Sequence, residues 1–264
     1  MRKIGFTLIE VLVVIATIAL ILGILLPSLQ NSRQQAKTVR CGSNIRQLLL
    51  GLALYETENK IFPYAFDKPF PGPPPGGYPG NSAYDRMGWW WFNYIVDCSR
   101  KSSNRISVLW CPSRQITNRE LKTNVLSGNY GVNLSICKVS SGLENHQEFV
   151  GTSLTTLDIP NPSQTLLVVD SGYSMISWWH ATDIPPSALG KTIEDTSYVP
   201  GLRINADRYI WIGQEQDAIN GRHPNKTVNA GFVDGHVDKV KAESLFVEKT
   251  ADGYRNKNPL WQPK

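Results

Sequence analysis

The chain changes hydropathic character twice. Across 6–26 the run FTLIEVLVVIATIALILGILL is apolar apart from Glu10 and two threonines. As a helix rising about 1.5 Å per residue it is roughly 31 Å long, enough to cross the hydrocarbon core of a bilayer. The following stretch, 27–60, keeps helical spacing on one side only. Val39, Ile45, Leu48, Leu49 and Leu52 recur at helical offsets, with arginines between them. This predicts an amphipathic stem, with Pro27 kinking or restarting the helix where the two segments meet. Cys41, four residues before Ile45, falls on the same face and points into whatever packs there.

From residue 61 onward the pattern shifts to short apolar runs separated by Pro, Gly, Asn and Ser. Strands are predicted at 106–111, 164–170, 227–233 and 236–241, and 242–249 is the best short helical segment. The expected fold class is α+β: a long N-terminal helix, half transmembrane and half amphipathic stem, packed on a largely antiparallel β head spanning 61–264. Loops 139–156 and 180–208 are longer than compact domains usually carry. Residues 69–80, PFPGPPPGGYPG, hold ten prolines and glycines in twelve positions and predict an exposed polyproline-like spacer rather than helix or central strand. Trp89, Trp90, Trp91 and Phe92 are either a buried strand or a sugar-binding platform, and the core reading is preferred.

Composition and charge refine this picture. Of 264 residues 41% are hydrophobic and 19% charged, a globular balance. The net charge of +5 sits at one end: residues 1–55 hold six basic side chains against Glu10 alone, so the remainder is neutral. A nucleic-acid binder concentrates positive charge on its folded domain, so no nucleic-acid partner is expected. Arg2 and Lys3 precede the apolar run, which predicts a cytoplasmic leader 1–5, a transmembrane helix 6–26 and an extracytoplasmic remainder. Arg33, Lys37, Arg40 and Arg46 are then a solvated stem face or contacts to lipid headgroups or another subunit.

Glu10 is the anomaly, since a carboxylate inside a bilayer costs about 3 kcal/mol and calls for a partner. Gly5-Phe6-Thr7-Leu8-Ile9-Glu10, behind a short basic leader, resembles the processing signal of type IV prepilins and type II secretion pseudopilins. The resemblance implies cleavage after Gly5 by a prepilin peptidase and N-methylation of Phe6. It also implies that Glu10 neutralises the N-terminal amine of a neighbouring pilin or pseudopilin subunit in the bacterial inner membrane.

Near the C-terminus, Asp234-Gly235 between two β-branched runs is a type I′ hairpin signal. A sharper reading groups His223, Asp234, His236 and Asp238, with Asp170 as a further candidate, as ligands for a divalent metal such as calcium. No cofactor follows from the pattern with certainty, and the hairpin reading is preferred. The same segment resembles a bacterial family of prepilin-type proteins marked by a histidine, nine residues and Asp-Gly. Further matching fragments are Cys41-Gly42-Ser43-Asn44 with Gln47 and Tyr55, Cys111-Pro112-Ser113, Asn129-Tyr130-Gly131-Val132-Asn133, Pro162-Ser163-Gln164-Thr165 and Asp170-Ser171. Here ten residues separate His223 from Asp234, and the added one is expected in the Pro224-Asn225-Lys226 turn.

Cys41, Cys98, Cys111 and Cys137 all fall outside the cytoplasm on this topology, where an even count points to disulfides. Of three pairings, Cys41 with Cys111 and Cys98 with Cys137 is preferred, because it clamps stem to head. No C-x-x-C pair is present, which argues against a zinc ribbon. The expected function is a structural pilin-like or pseudopilin-like subunit rather than an enzyme. The rivals are an exported surface module binding carbohydrate or protein, and a metal-dependent hydrolase. The latter is weak, because no G-x-S-x-G, H-E-x-x-H, Walker A or G-x-G-x-x-G motif occurs.

Overall fold

The computed structural model describes residues 7–67, 88–95, 107–114, 125–126, 128–141, 147–178, 221–245, 247–250, 253–255 and 260–262. The leader with Gly5 and Phe6, the Pro/Gly loop 69–80, Cys98 and the loop 180–208 lie outside the described residues. A single helix, α1 (Leu8–Asn59), carries both the apolar run and the stem. The helix does not restart at Pro27 but continues through it. α1 starts at a capping box in which Thr7 is the N-cap and Glu10 the third helical residue. It ends at Lys60, left-handed at φ 66°, whose N–H donates to the Glu56 carbonyl at 2.7 Å.

Two environments divide α1. Every residue from Leu8 to Lys37 is exposed, about 45 Å of helix free of the head. Within it lies the described helix long and apolar enough to cross a membrane. From Thr38 onward one face is buried through Cys41, Asn44, Ile45, Leu48, Leu49 and Leu52, which is the three-and-four spacing of an amphipathic helix. Val39, expected on that face, is 73% exposed. It sits one position past Thr38, so the helix turns it about 100° away.

The stem lies against a five-stranded mixed sheet. Strands β3 (Tyr130–Asn133), β4 (Leu166–Asp170), β5 (Met175–Ile176), β6 (Thr227–Phe232) and β7 (Val237–Lys241) take the order β5-β3-β4-β6-β7. All pairings are antiparallel except β3 with β5. The outcome is the expected α+β class. A smaller ladder joins β1 (Phe66–Asp67) to β2 (Trp89–Trp90), from which the chain enters the short helix α2 (Trp91–Ile95). A further hairpin, β8 (Glu248–Thr250) with β9 (Gly253–Arg255), lies outside the main sheet.

Alternation along β6 serves two cores. Val228, Ala230 and Phe232 pack with Ala242, Leu245, Val247 and Trp261 on the face away from α1. Asn229 and Gly231 face the stem, and a Cβ on Gly231 would stand 2.7 Å from Ile45 and 2.8 Å from Leu49. Glycine there lets helix and sheet approach closely. Strand β4 reaches the same face by a different device. Its register with β6 shifts between Leu166 and Val168, so both Leu167 and Val168 join the stem-side core while Leu166 and Val169 join the other. Asp170 thereby returns to the stem side, where its carboxylate meets Cys41. A bulge that re-aims a side chain in this way is characteristic of strand irregularities near sites.

Several local expectations change. The stretch 106–111 forms a 3-10 turn at Ser107–Leu109 instead of a strand, an apolar run too short and too close to Cys111-Pro112 to join a ladder. The segment 242–249 is a 3-10 turn at Ala242–Leu245 followed by β8. The long stretch 139–156 is tied down by bridges at Val139 and Val150 and by a 3-10 turn at Gln147–Phe149. The aromatic run is core: Trp90, Trp91 and Phe92 are 4%, 1% and 1% exposed, and Trp91 Nε1 donates to the Ser174 carbonyl at 2.8 Å. These three side chains are core, as preferred, while Trp89 is half-buried. The Asp-Gly connection is a three-residue loop, with Gly235 at φ 90° donating its N–H to Phe232 and neither Val233 nor Asp234 at positive φ. This excludes the expected type I′ turn, which needs positive φ at both central residues.

Candidate functional site

Where the stem meets the sheet, four elements deliver one chemically distinctive cluster. Cys41 comes from α1, Cys111 from the segment after the first 3-10 turn, Asp170 from the end of β4 and His223 from the turn before β6. One donor atom from each lies within 4.8 Å of the other three, and all four residues are buried. The Cys41 and Cys111 sulfurs are 3.4 Å apart. Cys41 Sγ donates to Asp170 Oδ1 at 2.8 Å, and His223 Nε2 stands 2.9 Å from Asp170 Oδ2.

The surroundings hold these groups in place. Pro224, Asn225 and Lys226 form a tight loop closed by reciprocal His223–Thr227 backbone bonds, with Asn225 and Lys226 at φ 64° and 57°. It fixes the His223 backbone at the start of β6. Thr38, three residues before Cys41 on the buried helix face, donates its hydroxyl hydrogen to the Gln34 carbonyl at 2.9 Å. Its oxygen is therefore an acceptor for His223 Nδ1 at 3.2 Å. Asn229 donates its backbone N–H to Asp170 Oδ2 at 2.8 Å. Its side-chain amide donates to the Thr38 carbonyl at 3.2 Å and faces His223 Nε2 at 2.8 Å. Cys111 is anchored by its own N–H to Asn129 Oδ1 at 3.0 Å.

One cation balances the carboxylate. Arg222 lies buried 3.6 Å from Asp170 Oδ1 and donates to the carbonyls of Asn129 at 2.6 Å and Ser171 at 2.8 Å. Burial works against an ionised Asp170, but the His223 hydrogen bond and the Arg222 charge outweigh it and hold the carboxyl below its ordinary value. The two thiols diverge. Burial, then Cys111 and Asp170, pushes Cys41 well up. For Cys111 burial is the largest influence and acts upward, yet Cys41 and Arg222 together pull the thiol down to about 7.

The structure sorts the expected site residues into two places. His223 and Asp170 stand together in this buried cluster. Asp234, His236 and Asp238 do not join them: among the described residues the only group of three or more candidate ligands is the Cys41, Cys111, Asp170, His223 set. Asp234 and His236 belong to the hairpin turn, where Asp234 Oδ1 accepts from the His236 backbone N–H at 3.1 Å and contacts its ring. The His236 ring stacks on Phe232 with centroids 4.2 Å apart. Asp238 is exposed on β7 and accepts from Lys239 N–H at 2.7 Å. The reason for the separation is the β6–β7 register, which sets Asp238 opposite Ala230, whereas His223 precedes β6 and turns its ring toward α1.

Cys41 and Cys111, expected as a disulfide, are in contact as free thiols; Cys137 is also a free, buried thiol, and burial pushes its proton affinity up. Sequence reasoning placed the two cysteines and the His-Asp pair in separate schemes, and the structure merges them. The signal lay in the fragments Cys41-Gly42-Ser43-Asn44, Cys111-Pro112-Ser113, Asn129-Tyr130, Asp170-Ser171 and Arg222-His223, all of which converge here. Asn44 Nδ2, for example, donates to the Tyr130 hydroxyl at 3.0 Å and the Trp110 carbonyl at 3.1 Å. Comparisons with protein-family models, with curated proteins and with solved structures found no match.

Proposed function

We propose that this chain is a prepilin-like, non-enzymatic subunit, cut after Gly5 by a prepilin peptidase and anchored in the bacterial inner membrane with its head outside the cytoplasm. The observation that carries the reading is the partition of α1. One uninterrupted helix presents an exposed apolar half and docks its other half on the head. An apolar surface that large is unstable in water and needs lipid or the helices of other subunits around it. A pilin-like or pseudopilin-like assembly of the type II secretion or type IV pilus kind supplies both.

Glu10 supports the reading through its alternatives. In the single chain its carboxylate caps its own helix, accepting from Thr7 N at 2.8 Å and Thr7 Oγ1 at 2.6 Å. Such a cap contributes about 0.5–2 kcal/mol. Neutralising a charge at membrane depth is worth about 3 kcal/mol, so a neighbouring subunit's amine would outcompete the cap. Glu10→Gln separates the two roles, because glutamine also serves the third position of a capping box while carrying no charge. The proposal expects N-terminal sequencing of the mature protein to begin at methylated Phe6, and Glu10→Gln to reduce assembly while the chain still folds. An unprocessed N-terminus, or full assembly of Glu10→Gln, refutes it.

A further inference from the structure

Four metal-ligating side chains from separate elements meet in the buried cluster, with one donor atom of each within 4.8 Å of the others. Thr38 Oγ1 has given its hydrogen to Gln34 and so accepts from Nδ1–H of His223. That bond leaves Nε2 as the ring nitrogen turned to the cluster, where the Asn229 amide stands at 2.8 Å. Nε2 also stands 2.9 Å from Asp170 Oδ2. A metal ion can take the place of the proton in such an imidazole–carboxylate contact, drawing on both groups. A hydrogen bond from the second ring nitrogen to a fixed acceptor is the usual way a metal-binding imidazole is oriented.

We propose that Cys41 Sγ, Cys111 Sγ, His223 Nε2 and the Asp170 carboxylate bind a structural zinc ion that locks the stem helix to the sheet. Bond lengths of about 2.3 Å to sulfur and 2.0–2.2 Å to nitrogen and oxygen put tetrahedral ligand atoms about 3.3–3.8 Å apart. The sulfurs, at 3.4 Å, need only a slight opening to reach that spacing, and they lie far beyond the about 2.05 Å of a disulfide. Two thiolates and an imidazole are a soft donor set, suited to zinc and unsuited to calcium, which requires oxygen ligands.

Charge also closes. Binding releases two thiol protons to solvent, so two thiolates and one carboxylate carry three negative charges against the two positive charges of the ion. Arg222, buried 3.6 Å from Asp170, supplies the remaining positive charge, leaving the desolvated site neutral. Four protein ligands leave no open position, which makes the site structural rather than catalytic. It joins residues 41, 111, 170 and 223, so the ion would tie the stem to three separate segments of the head. This inference does not depend on the prepilin reading.

The test is metal analysis of the full chain purified in detergent without chelator, followed by X-ray absorption at the zinc edge. The expected result is one zinc per chain with two sulfur and two nitrogen or oxygen neighbours. Reduced apoprotein titrated with cobalt should show a thiolate-to-metal charge-transfer band, a readout that needs no variant to fold. Thr38→Val leaves all four ligands in place and should weaken zinc affinity ten- to a hundredfold by releasing the imidazole. A Cys41–Cys111 disulfide in non-reduced mass mapping overturns the proposal. So does a reduced chain that binds no zinc, zinc without sulfur neighbours, or unchanged affinity in Thr38→Val.

Discussion

Two glycines at the stem–sheet interface should respond to the same substitution with opposite signs. Gly231, on β6, faces α1 so closely that an added methyl would stand 2.7 Å from Ile45 Cγ2 and 2.8 Å from Leu49 Cδ1. Leu49 can swing its tip away. Ile45 cannot, because the methyl concerned sits on the branched Cβ of a buried helical residue with one favoured rotamer. Overpacking of this kind costs about 1–3 kcal/mol, and the gain of about 0.5–1 kcal/mol from replacing a strand glycine offsets part of it. Gly231→Ala should therefore lose about 1–2 kcal/mol. Gly42, on α1, would place its new methyl 3.5 Å from Asn229 Oδ1 and 3.9 Å from Val237 Cγ1, ordinary contact distances. Gly42→Ala should gain up to about 1 kcal/mol from helix propensity alone. Urea unfolding of the full chain in detergent, followed by the fluorescence of the buried Trp90 and Trp91, measures both. If Gly231→Ala proved as stable as the parent, or less harmful than Gly42→Ala, the helix would not lie on β6 at this separation.

Three further outcomes probe other parts of the head. Asn133→Ala strips the donor shared by the Leu166 carbonyl at 2.8 Å and the Trp261 carbonyl at 2.7 Å, both buried. It should cost at least about 2 kcal/mol by denaturant unfolding, at 1–3 kcal/mol for each orphaned group; a loss below 0.5 kcal/mol, roughly, would mean that the segment at Trp261 is not held there. Leu52→Ala, at a fully buried helix position, should lose about 2–5 kcal/mol, checked by the shift in urea midpoint at constant slope. Gly235→Ala, whose methyl meets nothing within 4 Å but whose φ is 90°, should lose about 1–2 kcal/mol by conformation alone. Gly235→Asn should be milder in the same thermal melt, and equal losses would count against the turn geometry.

Much of the architecture was legible because it rests on long, uniform signals. Twenty-one residues of 6–26 with one charge mark an apolar helix long enough to cross a membrane, and the spacing of Cys41, Ile45, Leu48, Leu49 and Leu52 marks the docked face. β4, β6 and β7 were found because short runs containing β-branched residues and bounded by turn residues have few alternatives. The failures share a cause. At Ser107–Leu109 two apolar residues, Val108 and Leu109, could not outweigh the flanking Cys-Pro. At Pro27 the loss of one backbone bond does not stop a helix already propagating over fifty residues.

The cluster of Cys41, Cys111, Asp170 and His223 shows where sequence stops. Composition supplied the residue types, and the stem's periodicity aimed Cys41 inward. Nothing in Leu-Leu-Val-Val-Asp reveals which way Asp170 points, since all five positions of β4 are buried and no alternation is visible. Simple alternation from Leu166 would send Asp170 to the face away from the stem. The bulge between Leu166 and Val168 adds the one residue that reverses it. That bulge is set by packing against β6 and α1, contacts more than fifty residues away in the chain, and so the facing of Asp170 belongs to the tertiary structure alone.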